Sequence, residues 1–365
     1  MSGRLLIYGA TGFTGRLIAE RARALGMNAI LAGRSAERLR PLADRLGFAW
    51  RLARLDQPVS LDALLQDVDT VLHVAGPYVD TARPMVEACL RNKIHYLDLA
   101  GELPVYLDLN RCDAAAREHG VMLMPGAGFV VATSDCLAAH VAARMPNPRR
   151  LRIAFSRTDL ISRGTLRAML GLVRQAVSIR RDGKLTSVPV GRLQRRFDFG
   201  AGDRPSTALS WADVFTAYLT TGIPDIEVYA EADAMMRLLF KTGAWLADPL
   251  RQPRAGALLR SQTRLWPEGP PQSRRAAARR VIVCEAEDPW RQTVCARLHT
   301  PHGYSITPVI ALSIAARVLS GEFLPGLQTP AGVYGPGLVF KLDGVRVEDL
   351  RVGPIRELKS TPAGS

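Results

Sequence analysis

The chain has 365 residues, 47% of them hydrophobic, and its mean hydropathy is +0.03. That length suits two domains with full-sized cores better than one. No apolar run of about 18 residues occurs, which argues against a membrane-spanning helix. No secretory signal pattern opens the sequence, so we expect a cytoplasmic protein.

The formal net charge is +14, with a pI of about 10.2, and nearly all of the positive charge is arginine. A basic protein can bind nucleic acid, acidic lipid or an acidic carrier protein. Here the arginines are dispersed, aromatic residues make up only 6%, and no nucleic-acid motif occurs, so we predict no nucleic-acid partner. The five cysteines are scattered and the six histidines lack ligand spacing, so we predict neither a disulfide framework nor a metal site.

Strand and helix patterns alternate through the first third of the chain. We predict helices near 14–26, from Ser35, and near 60–66, 82–92 and 105–119. The strands between them are predicted at 4–8, 28–33, 48–54, 69–75, 94–97 and 121–124. Such alternation implies right-handed crossovers and a parallel sheet, the doubly wound Rossmann-type architecture.

The pattern changes after about residue 148. Helices are predicted near 165–178, 231–265 and 305–320, with an exposed Arg-, Pro- and Gly-rich loop at 251–279. Strand-like runs occur at 151–155, 184–190, 195–199, 226–229, 280–285 and 292–299. We therefore expect an α/β chain with an inserted α+β substrate domain built on a mostly antiparallel sheet. The predicted boundaries are a Rossmann domain at 1–130, a substrate or dimerisation domain at 131–304, and a segment at 305–365 that returns to the first domain. A homodimer is compatible with this organisation.

A glycine-rich loop follows the first predicted strand, with the spacing G-x-x-G-x-x-G. Glycine permits a sharp turn and lets backbone N–H groups approach a pyrophosphate. The next helix would point its positive N-terminal end at that phosphate. The loop, between strand and helix, predicts a dinucleotide site. Its candidate binding residues are Gly9, Thr11, Gly12, Phe13, Thr14 and Gly15.

The end of the second strand indicates which dinucleotide binds. NAD enzymes carry a carboxylate there for the ribose 2′-hydroxyl. This sequence has Arg34 followed by Ser35, and a guanidinium can bind the 2′-phosphate that a carboxylate would repel. We therefore predict NADPH as the cofactor. Ser35 is also a plausible N-cap, with a hydroxyl able to accept from early backbone N–H groups. Asp56, after the third strand, lies where the adenine edge is expected or is a turn residue.

The ends of the fourth and fifth strands carry the candidates for the chemistry. Ala75, Gly76 and Pro77 are expected beside the nicotinamide ribose, because ligands of doubly wound sheets bind at the carboxyl ends of strands. Tyr78 either donates a proton or hydrogen bond or packs against the ring. Asp98 and Glu102 follow the fifth strand, and Glu102 either orients a ligand or begins the next helix.

Asp135 is interpreted as a residue at the N-terminus of a helix. Arg157, Arg163 and Thr165 flank a strand end and a helix start in the second domain, where a carboxylate or a phosphopantetheine phosphate can bind. An ordinary salt bridge at this place is the alternative reading.

These segments, together with others downstream, resemble the saccharopine dehydrogenase-like oxidoreductases, in particular the trans-acting enoyl reductase branch. The resemblance runs in order through nearly the whole chain. The matching segments are 9–15, 31–35, 75–78, 95–102, 125–129, 133–138, 162–165, 211–214, 221–229, 303–304 and 329–331.

This resemblance implies a Rossmann domain completed by the C-terminal segment, an inserted substrate domain, and NADPH as hydride donor. It leaves open a C=C (enoyl) or C=N (imine) acceptor, free or carrier-bound, in lipid, polyketide or other specialised biosynthesis. Val130 stands where this branch usually has an acidic residue, so any polar role at that position is absent or moved.

The sequence also bears on three alternative functions. A short-chain dehydrogenase needs a Tyr-x-x-x-Lys pair, and no tyrosine here has a lysine four residues later. A saccharopine-type C–N dehydrogenase of amino-acid metabolism, which needs convergent arginines, stays open. So does a protein that binds NADPH without turning it over.

Overall fold

The computed structural model describes residues 3–157, 176–232 and 268–350. In these ranges the chain forms two sheets, one wholly parallel and one mostly antiparallel. The predicted α/β architecture with a second, mostly antiparallel sheet is confirmed. Within the same ranges no helix is long and apolar enough to cross a membrane.

The first sheet has seven parallel strands in its described part, in the order β15-β6-β5-β4-β1-β2-β3. Three of its central strands, β1, β2 and β4, are buried along their whole length, which is typical of parallel strands covered on both faces. Its strands are β1 (Leu5–Tyr8), β2 (Ala29–Gly33), β3 (Ala49–Leu52), β4 (Thr70–His73), β5 (His95–Asp98), β6 (Met122–Met124) and the short β15 (Gly326–Leu327).

Helices connect these strands as predicted, with shifts of a few residues at their ends. The predicted helix at 105–119 is divided by a 3-10 turn, and the helix expected to begin near residue 82 begins at Tyr78. The helices are α1 (Phe13–Ala24), α2 (Ala36–Leu46), α3 (Pro58–Leu64), α4 (Tyr78–Asn92), α5 (Leu103–Leu109), α6 (Asp113–Glu118) and α7 (Phe129–Ala143).

The second sheet packs its apolar face on α7 and follows the order β10-β11-β12-β7-β13-β14-β16. The β8–β9 hairpin joins it through β12, and all its described pairs are antiparallel except β12–β7. Its strands are β7 (Arg150–Phe155), β8 (Val177–Arg181), β9 (Lys184–Val188), β10 (Gln194–Asp198), β11 (Asp203–Ala208), β12 (Asp225–Glu231), β13 (Arg279–Glu287), β14 (Thr293–Pro301) and β16 (Arg346–Leu350).

The remaining described helices lie in the second half of the chain. They are α8 (Asp213–Thr221), α9 (Gln272–Ala277), α10 (Gly303–Leu319), α11 (Pro330–Tyr334) and α12 (Gly337–Phe340). The prediction of an exposed loop over 251–279 is wrong at 272–277, which form α9, because Pro271 at the N-cap leads into residues that favour a helix. The predicted helix at 231–265 lies almost wholly outside the described residues.

The last part of the described chain touches both sheets. Strand β15 extends the parallel sheet beside β6, and α10 packs on α1. About twenty residues later, β16 pairs with β14 in the second sheet. Asp349 of β16 also forms a hydrogen bond with His140, at 2.8 Å, and an ion pair with Arg144, at 2.6 Å, at the end of α7. The domain boundaries at 130 and 304 stay predictions.

Candidate functional site

The glycine loop joins β1 to α1, and two of its glycines are required by the protein itself. Gly9 has a φ of +89°, and a Cβ there would lie 2.7 Å from the Cβ of Ala75. At Gly15 a Cβ would lie 2.3 Å from the carbonyl oxygen of Gly9. Contacts this short exclude any side chain, so both glycines serve the close approach of loop, helix and β4.

Gly12 is different, because nothing in the described protein requires a glycine there. Its φ of −71° and ψ of 166° suit any residue, and a Cβ would meet one described atom within 4 Å, the oxygen of Gly9 at 3.3 Å. Gly33 at the end of β2 is equally free, and a Cβ on Gly76 after β4 would make only ordinary contacts with Tyr78. These three glycines lie at the carboxyl ends of neighbouring strands, where a ligand can approach the backbone. The arrangement fits a dinucleotide, with its pyrophosphate at the N-terminus of α1.

The end of β2 presents the predicted 2′-phosphate residues. Arg34 is exposed and makes no hydrogen bond or ion pair with any described residue. Ser35 is the N-cap residue of α2, but the predicted cap is wrong in one respect. In the part of the chain that the structure describes, its hydroxyl makes no cap hydrogen bond. An exposed guanidinium, this hydroxyl and the first-turn N–H groups of α2 therefore follow one another along the chain at the end of β2.

The neighbouring strand end carries a second charged pair. Arg54, just after β3, donates two hydrogen bonds to Asp56, at 3.0 and 2.8 Å. That contact lowers the pKa of the Asp56 carboxyl below its usual range. The Tyr8 hydroxyl donates a hydrogen bond to the carbonyl oxygen of Ala53 at 3.0 Å, which connects the end of β1 to this turn. Asp56 is thus a turn residue with an ion-pair partner, beside the position expected for adenine.

The turn after β4 is braced by a residue that the sequence analysis did not single out. The Thr81 hydroxyl contacts the carbonyl oxygens of Ala75 at 2.7 Å and Pro77 at 3.0 Å. These contacts hold the Ala75–Pro77 backbone against the first turn of α4. The peptide bond between Gly76 and Pro77 is cis.

Tyr78 is the first residue of α4, and its half-buried ring folds back toward Gly76. The ring also meets the imidazole of His73 edge-on, with centroids 5.7 Å apart. His73 is fully buried, and its two ring nitrogens have no hydrogen-bond partner among the described residues. Burial lowers its pKa to about 3, so the imidazole is neutral at physiological pH.

Two carboxyl groups at and just after the end of β5 influence the pKa of Tyr78. Burial, followed by the charges of Asp98 and Glu102, raises the pKa of its hydroxyl, which therefore stays protonated over the physiological range. Glu102 occupies the N-cap position of α5 and accepts a hydrogen bond from the N–H of Gly101 at 2.9 Å. Burial raises the pKa of Glu102, opposed by hydrogen bonds from backbone N–H groups, including that of Tyr78.

Asp98 is completely buried, and both of its oxygens are bonded within the protein. It accepts from the N–H groups of Ala100 at 2.8 Å and Gly126 at 3.0 Å, and from the Tyr96 hydroxyl at 2.7 Å. Burial raises the pKa of Asp98 to about 7. Asp98 thereby holds together the loops that follow β5 and β6.

The second sheet reaches this edge through a chain of contacts. The N–H of Ala212, just before α8, donates to the carbonyl of Gly101 at 3.0 Å, and Trp211 meets Phe155 of β7 edge-on at 4.6 Å. Arg157 follows that strand, and its backbone N–H donates to Glu231 at 2.8 Å. Arg163 and Thr165 lie outside the described residues.

Asp135 is not at a helix N-terminus, so that interpretation is wrong. The helix begins six residues earlier, at Phe129, because an apolar run continues it through the position where the sequence suggested a start. Asp135 is fully buried and accepts from the Thr220 hydroxyl at 2.6 Å and the N–H of Ala331 at 2.8 Å. It joins three helices rather than facing a ligand.

The sequence analysis also missed a buried carboxyl at the start of α8. Asp213 is 1% exposed, and its oxygens have no hydrogen-bond partner among the described residues by strict geometry. Burial raises its pKa to about 7, partly offset by the nearby Ser134 hydroxyl. Its position in a short apolar helix gave no signal that it would be buried. No group of metal ligands occurs within the residues described here.

Comparison with known proteins agrees with this site. Residues 5–124 match the family model of the saccharopine dehydrogenase NADP binding domain. A trans-acting enoyl reductase of Mycobacterium bovis is 38% identical over 141 residues, covering 36% of this chain and 33% of that protein. One of Mycobacterium leprae is 36% identical over 169 residues, covering 44% and 40%. The chain thus matches about a third of the length of the first of these relatives.

Among solved structures, saccharopine dehydrogenase (L-Glu forming) of Saccharomyces cerevisiae superposes with a TM-score of 0.63 at 12% identity. The superposition covers 96% of this chain and 100% of that one, and at this identity it speaks for the fold alone. Fold and site together define a Rossmann-type dinucleotide-binding protein with saccharopine dehydrogenase-like architecture. Its residues 5–124 match the model of the saccharopine dehydrogenase NADP-binding domain, which confirms the predicted resemblance and agrees with the predicted cofactor.

Proposed function

We propose that this protein is an NADPH-dependent reductase that transfers hydride to the C=C bond of an enoyl group held on a thioester carrier. The observation that carries the proposal is the unpartnered Arg34 guanidinium beside three strand-end glycines that the described protein does not itself require. A ligand with a phosphorylated ribose and a pyrophosphate accounts for both features. The similarity to trans-acting enoyl reductases of Mycobacterium bovis and Mycobacterium leprae supports the enoyl acceptor.

The chain's own residues have separate tasks in this reaction. Gly12, Arg34 and Ser35 bind the phosphates, and Gly76 with Pro77 forms the backbone edge beside the nicotinamide. The bound cofactor supplies the hydride. Hydride addition to an enoyl thioester places negative charge on the thioester oxygen, which a hydrogen-bond donor stabilises. Tyr78 is our candidate for that donor, since its raised pKa keeps the proton on the hydroxyl.

Glu102 and Asp98 act in this scheme as positioning residues. Glu102 links the N–H of Gly101 to the start of α4, and Asp98 fixes the loops after β5 and β6. Burial raises the pKa of both carboxyl groups. Arg157 remains a candidate for binding a carrier's phosphopantetheine phosphate.

The electrostatics near Tyr78 favour a neutral acceptor over a dicarboxylate amino acid. The charges that shift the Tyr78 pKa belong to two carboxylates, Asp98 and Glu102. A substrate carboxylate brought beside them would be repelled, whereas an enoyl thioester carries no charge at its reacting end.

The test is NADPH oxidation, followed at 340 nm, against three acceptors: an enoyl thioester of pantetheine, a cyclic imine, and a 2-oxo acid with lysine. We expect turnover with the enoyl thioester. Turnover with the imine alone would replace C=C by C=N reduction, and turnover with the oxo acid and lysine would favour the C–N dehydrogenase. NADPH binding without turnover of any of the three would overturn the proposed activity and leave a cofactor-binding protein.

A further inference from the structure

The segment Glu268–Pro271, which we name the strap, lies across the dinucleotide loop just before α9. Gly269 packs against the Phe13 ring so closely that a Cβ there would lie 2.4 Å from the ring. Pro270 is buried, and the Arg275 guanidinium of α9 stands over the same ring at 5.5 Å. The strap is therefore seated on the loop that binds the pyrophosphate in the proposed function.

The strap places a carboxylate between two arginines of that loop region. Glu268 lies 2.6 Å from a guanidinium nitrogen of Arg16 and 4.0 Å from one of Arg38. Arg16 also donates to the carbonyl of Thr11 at 2.9 Å, so its guanidinium rests on the glycine loop. Arg38 lies in the first turn of α2, four residues after Arg34.

The carboxylate thus lies in a region of positive potential that favours anions. The N-terminal ends of α1 and α2 are both positive, and they receive the pyrophosphate and the 2′-phosphate in the proposed function. The Glu268 carboxylate brings a negative charge to these two helix ends, because it pairs with Arg16 of α1 and Arg38 of α2. Bound phosphates and this carboxylate would repel each other while drawing on the same two arginines.

We propose that Glu268 is an intramolecular competitor of the cofactor: a latch that pairs with Arg16 and Arg38 and is displaced by the phosphates of NADPH. Displacement releases Arg38 as a second guanidinium for the 2′-phosphate, beside Arg34. The inference rests on the proposed function only through its cofactor site, and it needs no particular acceptor.

The experiment measures cofactor affinity and association rate, using NADPH fluorescence in stopped flow, for the full chain and its Glu268→Gln variant. The partly exposed ion pair is weak, so we expect NADPH to bind about two- to fivefold more tightly to the variant. The gain should appear in the association rate, because the latch acts before binding, and should be smaller for NADH. Arg38→Ala should weaken NADPH binding more than NADH binding.

The matched control is Glu20→Gln. Glu20 lies on α1 and pairs with Arg45 at 3.0 Å, with an exposure of 44% against 49% for Glu268. It should leave both affinities unchanged. Unchanged NADPH affinity in Glu268→Gln would overturn the latch, and weaker binding would show instead that the strap closes over bound cofactor. An original chain that takes up neither dinucleotide would overturn the cofactor site, and with it both proposals.

Discussion

Alanine at Gly12 should abolish tight cofactor binding while leaving the fold nearly intact. A Cβ there would make one tight contact in the described protein, 3.3 Å from the Gly9 oxygen, which a shift of a few tenths of an ångström relieves, and the backbone conformation is open to alanine. Alanine stabilises the fold by reducing the conformational entropy of the unfolded chain, but it is a poorer N-cap residue than glycine. These opposing effects on the free energy of unfolding nearly cancel, to within about 1 kcal/mol. The added methyl group instead occupies the space proposed for the pyrophosphate.

Gly15→Ala is the matched variant, in which we expect the fold itself to be destabilised. Its Cβ would lie 2.3 Å from the Gly9 oxygen and 2.9 Å from the Ala10 backbone, so α1 must shift away from the loop. Overpacking of this kind costs about 1–3 kcal/mol, which in a chain of this size corresponds to roughly 1–4 °C in melting temperature.

Calorimetric titration with NADPH and a thermal melt distinguish the two variants. We expect Gly12→Ala to keep a melting temperature within about 1 °C of the original and to lose at least about tenfold in affinity. Gly15→Ala should melt lower whether or not cofactor is added. Unchanged NADPH affinity in Gly12→Ala would refute the reasoning, since the room beside Gly12 would then have no ligand in it.

Three further predictions concern charge and protonation. Arg34→Ala should raise the KM for NADPH about 10- to 100-fold and that for NADH little, with Arg45→Ala as control; equal losses with both cofactors would remove the 2′-phosphate assignment. Tyr78→Phe should lower kcat about a hundredfold at unchanged KM for NADPH, whereas a near-normal rate would mean that the ring only packs. Asp213 has a folded-state pKa of about 7, above the usual 3.8, so its contribution to stability is complete below pH 4 and is lost as the pH rises toward 7. Between pH 5 and pH 7.5, the free energy of unfolding measured with urea should fall less in Asp213→Asn than in the original chain or in the control Asp44→Asn. Equal falls in all three would contradict a buried, ionisable Asp213.

The parallel sheet could be predicted from the sequence because its signals are local. Buried strands such as Leu5–Tyr8 and Ala29–Gly33 are short apolar runs, and glycine and serine mark the turns after them. The cofactor loop was predictable for the same reason, since seven consecutive residues contain the whole motif.

The rest of the site depends on contacts between distant residues. Glu268 and Arg16 are 252 positions apart, and no pattern around Glu268 indicates that it lies on the glycine loop. Asp135 was misplaced because its bonds go to Thr220 and Ala331, which only the tertiary fold brings near. Ser35 occupies its N-cap position without the expected bond, a difference that depends on one side-chain torsion.

The attachment of β15 to one sheet and β16 to the other restricts how this molecule can move. The connecting stretch is only 328–345, and its two short helices pack on α7. If the two sheets move apart, that stretch must bend or slide, since both of its ends are fixed by strand pairing. A crosslink within it should therefore restrict movement of one sheet relative to the other without altering any proposed ligand-binding group.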